Sequence, residues 1–379
     1  MATLKKLSSE PEPAEPESAE PEPSPSGPNK SSRQTMESVV VRFAGDSGDG
    51  MQLTGGQFTL ATALAGHDLA TFADFPAEIR APVGTPFGVS SFQINFGAHT
   101  VSTSGDALDV LIAMNPAALL VELKGLKLGG VLIVDTGSFN ERNLSKAGYQ
   151  ANPIEDGSLD NYRVFKFDIS KLTLEATKDS GLSKKDSLRC KNMWTLGLIF
   201  WMFGRPRTPT IESLKQKFAN KPEIAEANIA ALKAGNAFGE TLEIHNDLAG
   251  YTVQVADISP GLYRTVSGSE TMAWGLAIGA HLAGLPLELG SYPITPASAL
   301  LHTLADTKEY GIVTFQAEDE IAAICFAIGA SFAGSLGVTT TSGPGMALKS
   351  EAMGLAISAE LPLVVVNVQR AGPSTGMPT

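Results

Sequence analysis

The sequence predicts an α/β protein made of two consecutive units, each built on a mostly parallel sheet. Three observations carry that prediction. Short β-branched, apolar runs alternate with helical segments, the pattern of strands joined by crossover helices. The run 38–43 (SVVVRF) passes through a glycine loop, AGDSGDG, straight into a helical segment, which is how a dinucleotide-type βαβ unit begins. Further on, the nearly uncharged stretch 315–345 (FQAEDEIAAICFAIGASFAGSLGVTTTSGPG) reads as loop, buried helix, short buried strand and glycine-proline turn.

Composition bounds the class. A chain of 379 residues, 43% hydrophobic and 18% charged, holds two domains and can bury sizeable cores. A net charge of −12 argues against nucleic acid or an anionic membrane as partner. The two cysteines, Cys190 and Cys325, are too few for a disulfide scaffold, an iron–sulfur cluster or a four-cysteine zinc site. Five histidines without a paired spacing give no metal site either. Cys325 lies within the apolar helix and is expected in the core. The polar start carries no signal-peptide pattern, so the expected compartment is the cytoplasm. The charge-free span 321–338 is long enough to be scored as a membrane helix, but its Gly and Ser content and its flanks read as a soluble protein.

In chain order, residues 1–36 are Pro/Glu/Ser-rich and are expected to form a disordered acidic tail. The first domain is placed at 37–242. Its strands are expected at 38–43, at 88–96 with one wet face, at 106–114 with a stop at Asn115-Pro116, and at 129–135. A helix is read at 119–124; past 177 the chain turns helical, with an apolar helix at 192–202, an amphipathic one at 210–233 and a closing segment at 235–239. Residues 243–262 read as a linker. The second domain, 263–379, opens on a capping box, Ser267 and Glu270, ahead of a helix at 271–283. Residues 287–290 lead into a loop at 291–298, and strands at 314–316, 338–341 and 363–366 and a helix at 299–308 complete it. The chain stops in a loop just after a strand, so truncation is expected.

Two features have chemical potential on their own residues. Glu318, Asp319 and Glu320 stand at the mouth of the apolar helix, where the helix dipole and nearby apolar surroundings act on a carboxyl group in opposite directions. On these residues alone a simple helix-end charge cluster is the first reading. The glycine loop, with Gly45, Ser47, Gly48 and Gly50, leaves amides free for an anion at a helix start. Its G-x-x-G-x-G spacing is off-pattern, however, and Asp46 and Asp49 would repel a phosphate, so a structural turn and a ligand loop both stay open.

The motifs SYPITPAS (291–298), QAEDE (316–320), TSGPG (341–345) and RAGPSTG (370–376) resemble those of the α subunit of 2-oxoacid:ferredoxin oxidoreductases. The segments GDSGDG (45–50), NMW (192–194) and GNAFGE (235–240) resemble the γ subunit of the same family. A γ unit fused ahead of an α unit is the arrangement of the 2-oxoglutarate-type enzymes. The resemblance implies two Rossmann-like domains, a γ-type domain and then a thiamine diphosphate pyrimidine-binding domain, incomplete here. It implies oxidative decarboxylation of a 2-oxo acid, with coenzyme A taking the acyl group and ferredoxin the electrons. The β subunit would share the thiamine diphosphate and carry Mg2+ and an iron–sulfur cluster.

By that resemblance Glu320 is the acid that engages the aminopyrimidine, with Glu318 in reserve. Such an acid serves best with its proton retained near neutral pH. Tyr292, Pro293, Ile294, Ser342 and Gly343 would line the cofactor, and Thr295 and Arg370 would hold the substrate carboxylate, for which a planar guanidinium suits. Gly45, Ser47, Gly48 and Gly50 would be a coenzyme A or nucleotide loop. The alternative is a non-catalytic nucleotide- or coenzyme A-binding assembly subunit; an independent flavin or nicotinamide enzyme is disfavoured by the glycine spacing.

Overall fold

The computed structural model describes residues 34–76, 81–244 and 251–370. Most of the expected tail, part of the expected linker (245–250) and the last six residues of the 370–376 motif lie outside the described residues.

The first unit runs β1 (Gln34–Met36), β2 (Ser38–Asp46), α1 (Met51–Leu64), β3 (Asp68–Asp74), β4 (Val89–Gly97), β5 (Leu108–Ala113), α2 (Pro116–Glu122), β6 (Leu126–Asp135), α3 (Glu141–Ala147), β7 (Arg163–Phe167), α4 (Ile169–Ala176), α5 (Lys184–Leu188), α6 (Lys191–Phe203), α7 (Thr208–Lys217) and α8 (Pro222–Ile244). Six strands form one sheet in the order β3-β4-β2-β5-β6-β7. The β2-β5-β6-β7 part is parallel, whereas β4 pairs antiparallel with both β2 and β3. Alternation along β2 feeds two cores: Val39, Val41 and Phe43 face α1 and α6, while Val40 and Ala44 join the core beneath α2.

Several expectations are corrected here. Strand β4 has no wet face: Ser90, Ser91 and Gln93 are buried. Hydrogen bonds take the place of water, since Gln52 Nε2 donates to Ser90 Oγ and the Ser91 carbonyl, and Gln93 Nε2 donates to the Ser104 and Gly105 carbonyls at 2.6 Å. Asn115-Pro116 begins a helix rather than ending a strand only; the Asn115 side chain accepts from Ala118 N–H and Pro116 opens α2. The amphipathic stretch from 210 is two helices, α7 and α8, and 235–239 does not close a domain but lies inside α8. A side chain on Gly235 would overlap the Trp194 carbonyl, and one on Gly197 the Leu232 carbonyl, so α6 and α8 cross backbone to backbone. The tail and the linker each hold a strand: β1 pairs in parallel with β8 (Tyr251–Val253), Gln34 opposite Tyr251. Tyr251 is buried against the α6 side of the core and stacks on Phe203, and that burial orders a segment whose sequence is mixed in character.

The second unit follows as α9 (Gly268–Ala283), β9 (Leu287–Ser291), α10 (Ser298–Ala305), β10 (Val313–Gln316), α11 (Glu320–Phe332), β11 (Leu336–Thr341), α12 (Gly343–Leu348), α13 (Ser350–Ser358) and β12 (Leu363–Asn367). Its four strands are all parallel, in the order β10-β9-β11-β12. The capping box forms as read, with Ser267 and Glu270 exchanging hydrogen bonds. Leu289 and Val338 pack with α9 and α10 on one face; α11 covers the other, close enough that Gly290 and Gly337 meet the carbonyls of Ala323 and Ala327. That approach explains the small residues of the central helix. Cys325 is on its solvent side, not in the core. The turn expected at 342–345 is the start of α12, with Pro344 in its first turn. Among the described residues, no helix is long and apolar enough to cross a membrane.

Candidate active site

Parallel strands deliver their following loops to one edge of a sheet, the place where α/β proteins hold ligands. Here that edge gathers the loops after β9, β10 and β11, which carry three of the motifs read in the sequence.

The three acids separate into three environments. Asp319 is the N-cap of α11, accepting from Ala322 N–H at 2.8 Å. Glu318 is exposed, whereas Glu320, the first residue of the helix, is half-buried. The Glu320 carboxyl lies beside the phenol of Tyr292, which bonds Thr341 Oγ1 at 3.0 Å. Tyr292 is 5% exposed. Burial foremost, with the Glu320 carboxylate adding to it, pushes its phenol up to about 12, against the Thr341 hydrogen bond. Gly345 lies against this group; an added Cβ would strike the Tyr292 phenol and the Thr341 hydroxyl and sit 2.7 Å from Glu320 Cγ. Ser342 is fully buried and its Oγ has no hydrogen-bond partner. Ser291 Oγ bonds Thr340 Oγ1 beneath the site.

Thr295 and Arg370 come together at a second place. Arg370 Nη1 donates to the Thr295 carbonyl at 3.0 Å and Nη2 to the Pro76 carbonyl at 3.2 Å. Burial lowers the proton affinity of its guanidinium. The Thr295–Pro296 bond is cis. Both residues line a cleft of about 860 Å³ between the two units, with Phe72, Phe75, Ser298 and His302 among its walls. Tyr292 and Glu320 are not among the lining residues; the 292–295 segment, with Pro293 exposed and Ile294 half-buried, joins the two places.

The glycine loop lies at the carboxyl end of β2, and most of its polar groups are used internally. Asp46 N–H donates to Asp49 Oδ2 at 3.0 Å, Ser47 N–H to the Gly88 carbonyl at 3.2 Å and Asp49 N–H to the Asp46 carbonyl at 2.9 Å. Burial raises both carboxyl groups, with Lys191 opposing that for each. Ser47 and Gly48 stay exposed, and Gly50 adopts φ 76°, the left-handed region that glycine supplies ahead of α1. Gln52 Nε2 reaches the Asp74 carbonyl at 3.2 Å, which ties this loop to the end of β3 beside the cleft-lining Phe75.

Sequence reasoning missed four contributors. Lys349 is fully buried; its Nζ donates to the Glu320 carbonyl and to Thr339 Oγ1, both at 2.9 Å, and stands 5.4 Å from the Tyr292 ring centroid. Asn192 stands beside Gly50 of the glycine loop, Asn115, whose Nδ2 is buried without a partner, follows the Met114 that packs on Gly45, and Thr341 completes the tyrosine contact. A lone lysine in the otherwise apolar MALKS segment was the available signal for the first.

Residues 40–238 match the family described as pyruvate ferredoxin/flavodoxin oxidoreductase. Residues 288–379 match the one described as pyruvate flavodoxin/ferredoxin oxidoreductase, thiamine diP-bdg. The chain is 55% identical to the 2-oxoglutarate oxidoreductase subunit KorA of Mycobacterium tuberculosis, over 92% of this chain and 53% of that protein. It is 27% identical to 2-oxoacid:ferredoxin oxidoreductase 2, subunit alpha, of Aeropyrum pernix, over 91% of this chain and 57% of that one. A solved structure of the 2-oxoglutarate:ferredoxin oxidoreductase from Magnetococcus marinus, with 2-oxoglutarate, coenzyme A and succinyl-CoA bound, superposes with a TM-score of 0.65 at 31% identity, covering 91% of this chain and 54% of that one. The chain thus spans about half the length of the curated relatives it matches.

Proposed function

The chain belongs to the pyruvate ferredoxin/flavodoxin oxidoreductase family, and from that premise we propose that it is one subunit of a 2-oxoacid:ferredoxin oxidoreductase, with 2-oxoglutarate the favoured substrate. The observation that carries the reading is the grouping of Glu320, Tyr292 and Thr341 around Gly345 at the sheet edge, with the buried, unpartnered Ser342 Oγ on the same loop. A half-buried carboxyl group beside a phenol and a buried hydroxyl with unspent hydrogen-bonding capacity suit a flat, nitrogen-bearing ring, and Gly345 is what lets the carboxyl and the phenol close up. When bound, thiamine diphosphate supplies the carbon nucleophile at which a 2-oxo acid loses CO2.

This chain's own residues have separate tasks. Glu320 presents its carboxyl group to the ring nitrogen as the partner in proton exchange, beside the Tyr292 phenol. Pro293, Ile294 and Gly343 wall the ring, and Ser342 Oγ offers it a polar contact. The Thr295 hydroxyl and Arg370 take the substrate carboxylate at the cleft. In this proposal a partner β subunit carries Mg2+, an iron–sulfur cluster and the diphosphate side of the cofactor. Coenzyme A accepts the acyl group, ferredoxin accepts the electrons and the complex works in the cytoplasm. Gly45, Ser47, Gly48 and Gly50 remain a proposed coenzyme A loop. The hydrogen bonds of Asp46, Ser47 and Asp49 narrow its anion-facing part to Gly48 and the start of α1.

The test is Glu320→Gln in the complex with its partner chain. Decarboxylation is expected to fall by about a hundredfold or more while assembly is retained, with Glu318→Gln close to wild type. Wild-type turnover by Glu320→Gln would overturn the reading.

A further inference from the structure

Lys349 is the one fully buried lysine among the described residues, and it faces the acid's own turn of helix. A buried ammonium costs several kcal/mol of desolvation unless polar groups surround it, so an unneeded lysine is rarely kept there. Its Nζ touches the Glu320 carbonyl on α11 and Thr339 Oγ1 on β11 and lies over the Tyr292 ring at the end of β9. One cation therefore fastens the three elements that hold Glu320, Tyr292 and Thr341 together. No carboxylate binds it directly among the described residues; the acidic groups that act on it are Glu320 foremost, then Asp319 and the Cys325 thiol, all on or next to α11. The Tyr292 phenol is the other titratable group against it.

We propose that Lys349 is a positioning residue that locks the first turn of α11 so that the Glu320 carboxyl stays against Tyr292, and that its charge is coupled to that of Glu320. The proposal rests on the reading of Glu320 as the acid for its catalytic consequence, and for the coupling on the Nζ bond to the Glu320 carbonyl, which sets the ammonium beside the acid's own residue. Supporting it, burial pushes the Lys349 ammonium down to about 8, while the carboxylate of Glu320 is the leading influence in the other direction. The group is thus placed to lose its charge just above neutral pH.

The test has two arms. In the full chain without cofactor, 13Cε-lysine NMR follows the Lys349 titration; it is expected near 8 and at lower pH in Glu320→Gln. A titration unmoved by Glu320→Gln would overturn the coupling, and this arm keeps Lys349 in place, so it does not depend on a lysine variant folding. In the complex with its partner chain, Lys349→Met and Lys349→Gln are expected to lower kcat by about tenfold to a hundredfold with KM for the 2-oxo acid nearly unchanged. Lys349→Arg is expected to recover part of the loss, and the alkaline limb of the wild-type pH profile to disappear in Lys349→Met. Wild-type kcat in both uncharged variants would overturn the positioning role. Full activity of Glu320→Gln, with the NMR shift still present, would instead overturn the assignment of Glu320 and leave the coupling standing.

Discussion

Arg370 Nη1 donates to the main-chain oxygen of Thr295 at 3.0 Å, so the arginine expected to bind a carboxylate also fastens the loop bearing the threonine expected to share it. Its second nitrogen holds the Pro76 carbonyl of the first unit, which makes the same side chain part of the cleft's far wall. Lysine carries the charge but not the planar fork. Arg370→Lys is therefore expected to raise KM for the 2-oxo acid by about tenfold, near 1.4 kcal/mol, in steady-state assays of the complex. Thr295→Val, which keeps the carbonyl, should change thermal stability by no more than about 0.5 kcal/mol while still raising KM.

Gly345→Ala tests the packing of the acid. The new methyl would collide with the Tyr292 phenol and the Thr341 hydroxyl and press on Glu320 Cγ. Overpacking of that kind costs about 1–3 kcal/mol, read as a lowered midpoint in denaturant unfolding. Thiamine diphosphate affinity, measured by calorimetry on the complex, should fall in parallel, because the groups displaced are those proposed to meet the ring.

Gly235→Ala tests the crossing of α6 and α8. Its methyl would occupy the position of the Trp194 carbonyl, so the helices must separate over a core containing Trp194, Leu198 and Phe200. The expected cost is about 4 kcal/mol or more, seen as loss of soluble folded protein or a large drop in Tm.

His67 gives the protein an acid-sensitive point remote from the site. Its Nε2 contacts Arg205 at 2.7 Å, and both are buried. Burial, reinforced by the arginine, pushes the imidazole down from 6.5 to about 4. The unfolded chain takes up that proton first, so stability falls as pH drops from 6.5 towards 4, by about 3 kcal/mol over the window. Urea unfolding at pH 7 and pH 4.5 should show a smaller difference for His67→Gln than for wild type.

The fold was legible where strands are buried on both faces and helices are strongly apolar. Val39–Phe43, Val131–Val134 and the α6 run announce themselves by residue type alone. What escaped depends on partners. Strand β7 is a five-residue alternation, RVFKF, that becomes a strand only by pairing with β6, and β3 only by pairing with β4. The polar face of β4 looks solvated until Gln52 and the 104–105 carbonyls arrive from elsewhere to satisfy it. The meeting of Tyr292 with Glu320 could be anticipated, because parallel strands send successive loops to one edge. Lys349 could not: its burial depends on the bend between α12 and α13 and on a carbonyl 29 residues earlier.

The ladder between β1 and β8 brings the way into the first unit and the way out of it within one strand spacing of each other. A module whose two ends emerge side by side can be appended to a neighbour, or carried as a separate polypeptide, without any strain reaching its six-stranded sheet. The join between the two units is thus a seam that rearrangement of the gene can open or close while both cores stay whole.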